Sequence, residues 1–130
     1  MRSLLLFVTV ALLSVAPAAH AQFGSNNLYS PTEVTALVDR VHTDLNHAYS
    51  VWHFSDSDRD RLNHAEKELR EFSATWSKGK FDKGKLDDAI GAVQHVLDEN
   101  RLPAEARDAL SDDVARLRRM REAYDRHEIG

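Results

Sequence analysis

From Val34 to Tyr124 the apolar residues of this chain recur at steps of three and four, in four separate runs. That spacing narrows the possible folds more than any other feature. A helix returns a side chain to the same face at those steps, whereas a half-buried strand alternates at a step of two. No run of the second kind is present. The first run is Val34, Leu37, Val38, Val41, Leu45, Ala48, Tyr49 and Trp52; the second is Leu62, Ala65, Leu69, Phe72 and Trp76. The third is Leu86, Ala89, Ile90, Val93, Val96 and Leu97, and the fourth Ala106, Ala109, Leu110, Val114, Leu117, Met120 and Tyr124.

Local chemistry marks where these helices start and stop. Ser30, Pro31 and Glu33 form a capping box with proline at the first helical position. Either Ser55 with Asp58 or Ser57 with Asp60 caps the second helix, and Gly79 ends it. Asp82 caps the third helix and Asn100 closes it, while Pro103 and Glu105 open the fourth. Ser111, Asp112 and Asp113 could recap the chain, so the sequence leaves open whether the fourth helix is continuous. The expected fold is all-α, an up-down-up-down antiparallel four-helix bundle with helices at roughly 31–53, 57–78, 83–99 and 103–127.

Residues 1–21 read as a cleaved signal peptide. Arg2 supplies the charged start, Leu4 to Ala16 an apolar stretch of 13 residues, and Ala19, His20 and Ala21 the small-x-small cleavage pattern. A membrane span needs roughly 20 apolar residues, so no transmembrane anchor is expected after cleavage. Residues 22–29 then form a polar, flexible leader, and 30–130 a single helical domain. Losing Arg2 from the 17 Lys+Arg leaves 16 against 21 Asp+Glu, a net charge of −5. An acidic exported chain, periplasmic or secreted, is not expected to bind nucleic acid, which requires a basic face. The absence of cysteine excludes disulfides, thiolate zinc sites, iron–sulfur clusters and covalent haem attachment.

Few residues suggest chemistry. Lys78, Lys80, Lys83 and Lys85 gather around the connection between the second and third helices, with Phe81 among them, and form the candidate binding patch for an envelope protein or an anionic surface. No cofactor is predicted. The alternative is an envelope metal- or cofactor-binding protein in which His42 or His53 joins a carboxylate on a neighbouring helix to hold a transition metal. These two histidines share a face but lie eleven residues, about 16 Å, apart along the axis, and no His pair has the i, i+4 spacing of a helical metal site. Asp56, Asp58 and Asp60 imitate the start of a calcium loop, but Arg61 and Lys67 stand where that loop needs Gly and Glu. No nucleophile-and-base arrangement, glycine-rich phosphate loop or paired catalytic carboxylates can be picked out, so the chain is expected to bind rather than catalyse. Strict seams could also pair between chains, which leaves oligomeric state open.

The stretch from Met120 to Asp125 resembles the last helix of the cytochrome b562 family, which is also an exported four-helix bundle. In that family a haem-ligating His follows the Tyr, where this chain has Asp125, and the second ligand is a Met near the mature N-terminus, whereas Met120 is the only Met after Met1. The resemblance therefore implies architecture and no haem site.

Overall fold

The computed structural model describes residues 29–51 and 55–129. The expected signal peptide, most of the leader, Trp52 and His53 lie outside the described residues. Four helices follow one another: α1 (Pro31–Val51), α2 (Asp56–Trp76), α3 (Lys83–Glu99) and α4 (Ala104–Asp125). Each packs on its neighbour in sequence, and α4 closes the ring on α1. Side-chain contacts give the directions. Trp76 at the end of α2 reaches Thr35 at the start of α1, Glu71 of α2 faces Lys85 of α3, and Arg121 of α4 meets Asp87 of α3. Neighbouring helices therefore run in opposite senses, as short connections require.

The capping chemistry explains the boundaries. Glu33 N–H donates to Ser30 Oγ at 3.3 Å while Ser30 N–H donates to Glu33 Oε2 at 2.6 Å, so the capping box is reciprocal. Ser55 and Asp82 each accept a backbone N–H from three residues on, at 3.2 and 3.1 Å. Ser55 rather than Ser57 is thus the cap of α2. Pro103 stands just outside α4 with no side-chain cap, one position earlier than expected. Helix α4 runs unbroken through Ser111, Asp112 and Asp113. At the far end of α3 the buried Asn100 replaces a glycine stop. Its Nδ2 donates to the Asp58 carbonyl at 3.0 Å and its Oδ1 accepts from Arg61 Nε at 2.6 Å. Arg107 donates to the Leu97 and Asn100 carbonyls at 3.0 and 3.3 Å, which satisfies orphan acceptors at the helix terminus.

All four apolar seams meet in one core, with Leu45, Leu62, Leu69, Phe72, Leu86, Leu110, Leu117 and Met120 among its fully buried members. The seams depart from expectation at their aromatic ends. Tyr49 and Tyr124 are exposed, and Trp76 is half-buried, because amphipathic rings at the rim of a core keep one edge in water.

Helices α2 and α4 end alike. Gly79 N–H bonds the Trp76 carbonyl and Lys80 N–H the Thr75 carbonyl, which turns the chain at Gly79 with φ +82°. His127 and Glu128 bond Tyr124 and Ala123 in the same pattern, but there the left-handed residue is His127, at φ 58°. This turn delivers Ile129 to an isolated backbone bridge with Tyr29. A side chain in that conformation costs roughly 1 kcal/mol more than glycine. His127→Gly is expected to raise the thermal unfolding midpoint by a few degrees in scanning calorimetry. An unchanged or lower midpoint would show that the imidazole contributes more to this turn than its backbone costs.

Candidate functional site

The connection between α2 and α3 builds one end of the bundle. After the turn at Gly79, Phe81 drops onto the core just before the capping Asp82. Its ring stacks on Tyr124 of α4, with centroids 4.4 Å apart and planes 15° from parallel. Phe72 and Trp76 of α2 stand edge-to-face against it, at 5.2 and 6.0 Å. Such aromatic pairs add roughly 0.5–1.5 kcal/mol each beyond area burial. Phe81 therefore ties three segments together at this end.

Beside these rings lies an open cleft of about 530 Å³, walled by Trp76, Phe81, Tyr124, Val38, Pro31 and Ile129, with Thr35, Ser73, Ser77 and Gly79 completing it. Its volume falls within the range of about 300–1,000 Å³ usual for small-molecule sites. Trp76 Nε1–H donates to Thr35 Oγ1 at 3.2 Å, and Thr35 Oγ1–H donates to the Pro31 carbonyl at 3.1 Å. That chain fixes the tryptophan against α1.

The four lysines of the connection separate into two kinds. Lys83 Nζ pairs with Asp125 Oδ1 at 2.7 Å, and its ammonium holds the Asp125 carboxyl below the ordinary carboxylate range. Lys85 Nζ lies 3.8 Å from Glu71 Oε2. Lys78 and Lys80, on either side of Gly79, are exposed and make no ion pair with any described residue. Of the residues expected to form a binding patch, Phe81 belongs to the wall of the cleft, Lys83 and Lys85 brace helices, and Lys78 and Lys80 keep their charge available to solvent.

His42 meets a carboxylate on the neighbouring helix, with Nδ1 2.6 Å from Glu66 Oε2 and Nε2 3.1 Å from Asn46 Nδ2. His53, its expected companion, lies outside the described residues. Among the described residues no group of three or more His, Asp or Glu is disposed to hold a metal ion, and no described helix is long and apolar enough to cross a membrane.

A further polar group sits inside the α1–α4 seam. Asp113 is fully buried, and neither of its oxygens has a hydrogen-bond donor; one oxygen of Asp44 is likewise buried without a donor. Arg40 Nε is 3.2 Å from Asp113 Oδ1 but poorly aligned with it and 3.8 Å from Asp44 Oδ2, while the guanidinium donates through Nη2 to Asp112 Oδ2 at 2.9 Å. Arg116 Nε also holds Asp112, at 2.7 Å, and keeps that carboxyl below its ordinary range. Burial first, and then the neighbouring Asp44 carboxylate, push Asp113 up to about 8, while Arg40 pulls the other way. A proton on Asp113, directed to Asp44, supplies the missing donor. Asp44 and Asp113 were legible in principle. Asp44 is three residues after Val41 and four before Ala48, and Asp113 is three after Leu110 and four before Leu117, so both occupy seam positions.

No protein-family model matches the chain, and no curated protein or solved structure is significantly similar to it.

The buried carboxyl pair has a pH consequence. The folded chain keeps a proton on Asp113 that the unfolded chain releases near pH 4, so this group's contribution to stability is full below about pH 4 and is lost as pH rises to about 8. Asp113→Asn places a neutral donor beside Asp44. In urea unfolding it is expected to match the parent near pH 4 and exceed it by roughly 2 kcal/mol near pH 8. A variant less stable than the parent at pH 8 would contradict the shared proton.

Proposed function

We propose that the chain is a small exported helical bundle that works as a binding module without catalysis, with the cleft at the α2–α3 connection as its contact site. The observation that carries this reading is the coincidence, at one end of the bundle, of an open apolar cleft and two lysines that make no ion pair with any described residue. Apolar walls with a few polar groups at the edge are the usual make-up of a site that binds by desolvation and orients its ligand by charge. The core beneath is a scaffold, and function resides in what is grafted onto it. The pattern at the N-terminus, with Arg2, the apolar run from Leu4 to Ala16 and Ala19 to Ala21, supports export.

A second reading, a transition metal held by His42, draws on the His42–Glu66 pair, because a carboxylate on one ring nitrogen commonly orients a metal-ligating histidine. Stoichiometric uptake of nickel or zinc that disappears in His42→Ala would favour it over the cleft.

The test of the leading reading is a thermal-shift screen of small molecules that vary in apolar bulk and head charge. A molecule present at about 100 times its Kd stabilises the folded chain by about 2.7 kcal/mol. The expected result is a stabilising molecule whose effect is lost in Ser73→Trp, which fills the cleft, and kept in Asn63→Trp, an exposed position one-third of the way along the same helix. Stabilisation that survives Ser73→Trp would move binding away from the cleft.

A further inference from the structure

Given the cleft as the binding site, the geometry points to its ligand class: we infer that it takes a single aliphatic chain carrying an anionic head, with the chain between α1 and α2 and the head at the Lys78–Gly79–Lys80 turn. This rests on the binding-module reading and narrows it by three observations.

The first is how the rings are used. Tyr124 covers one face of Phe81 in direct contact, and Trp76 stands at 84° to Phe81. The cleft therefore offers no pair of parallel ring faces across a gap, which a planar aromatic ligand would need for a sandwich. Ring edges and the aliphatic groups of Val38, Pro31 and Ile129 suit a flexible hydrocarbon chain.

The second is the shortage of spare polar groups in the wall. Trp76 Nε1–H is committed to Thr35, the Thr35 hydroxyl to the Pro31 carbonyl, and the Ser77 hydroxyl to the Ala74 carbonyl at 2.8 Å. Among the described residues of the wall, Ser73 and Tyr124 keep a hydroxyl donor for a ligand, and Ser77 can only accept. A sugar, nucleotide or peptide body would leave most of its own polar groups without partners there, at about 1–3 kcal/mol for each buried one.

The third is charge. Of the carboxylates near the cleft, Asp125 pairs with Lys83 and Arg121 and Glu128 with Arg126, while Glu33 and Asp82 accept backbone N–H groups at helix starts, where the positive helix end offsets their charge. Asp39, one turn beyond Thr35, lines the adjoining shallow groove and not the cleft. Lys78 and Lys80 flank Gly79, which lines the cleft, and carry positive charge that no ion pair with a described residue compensates. On a chain of net charge −4 this local sign favours an anion and disfavours a cation.

The experiment is isothermal titration calorimetry on the protein as its host processes it. The probes are dodecanoate, dodecanol, dodecyltrimethylammonium and 2-naphthoate, each below the concentration at which it self-associates. The expected result is one dodecanoate site per chain, with the other three weaker. The double variant Lys78→Glu/Lys80→Glu, at two exposed positions that make no ion pair with a described residue, should weaken dodecanoate by about fivefold and leave dodecanol unchanged. Dodecanol or the cationic probe binding as tightly as dodecanoate, or a charge-reversed variant with unaltered affinity, would overturn the anionic head while the binding-module reading stands. Naphthoate binding in place of dodecanoate would overturn the aliphatic chain and likewise spare that reading. Absence of binding by all four probes, together with a thermal-shift screen in which no molecule stabilises the chain, would overturn both.

Discussion

Closing α4 onto α1 is the step on which the rest of the molecule depends. The other three helix contacts join neighbours in sequence through short connections, whereas this one brings the two ends of the domain together, at a higher cost in chain entropy. Val34, Val38, Val41 and Leu45 of α1 and Leu110, Val114 and Leu117 of α4 are buried in the one core that this contact closes, and Tyr29 and Ile129 add a backbone bridge. The same closure puts Asp113 and one oxygen of Asp44 out of reach of water and seats Arg40 among three carboxylates. An apolar seam without that pair would be more stable in neutral solution. The carboxyls make this contact the part of the fold most sensitive to proton activity.

Closure also creates the cleft. Pro31, Thr35 and Val38 come from α1, Ser73 and Trp76 from α2, and Tyr124 and Ile129 from the end of α4 and the turn that follows. Phe81 locks the arrangement, since its stack on Tyr124 fixes the last turn of α4 against the α2–α3 connection. The left-handed turn at His127 is part of the same device, because it returns Ile129 to the start of α1. A site assembled from segments this far apart exists only in the closed bundle. Loss of the α1–α4 contact would therefore remove the cleft before it removed the helices.

How far the sequence foretold this depends on whether the signal was local. The caps at Ser30 and Asp82 were readable because capping is settled within four residues, and the seams because helical periodicity reports burial directly. The helix ends at 76 and 125 fall a residue or two short of expectation because Schellman turns consume the last positions. Tertiary pairing was not readable. Four neighbouring lysines looked alike until Asp125 and Glu71, from other helices, claimed two of them. Phe81 stands out in the sequence as the apolar residue among the lysines, but its convergence with Trp76 and Tyr124 depends on the fold. Asp113 differs: beside Ser111 and Asp112 it reads as a helix-capping signal, although its register places it in the seam.

The most direct test of the central claim, that this end of the bundle is a ligand site, is an NMR titration of the isotopically labelled, host-processed protein with dodecanoate. The Trp76 indole and the amides of Thr35, Val38, Ser73, Gly79, Phe81 and Tyr124 are expected to shift together and saturate along one binding curve. The amides around Asn63 and His64 should stay in place. Shifts spread over the surface without saturation, or a saturating set centred on another face, would contradict it.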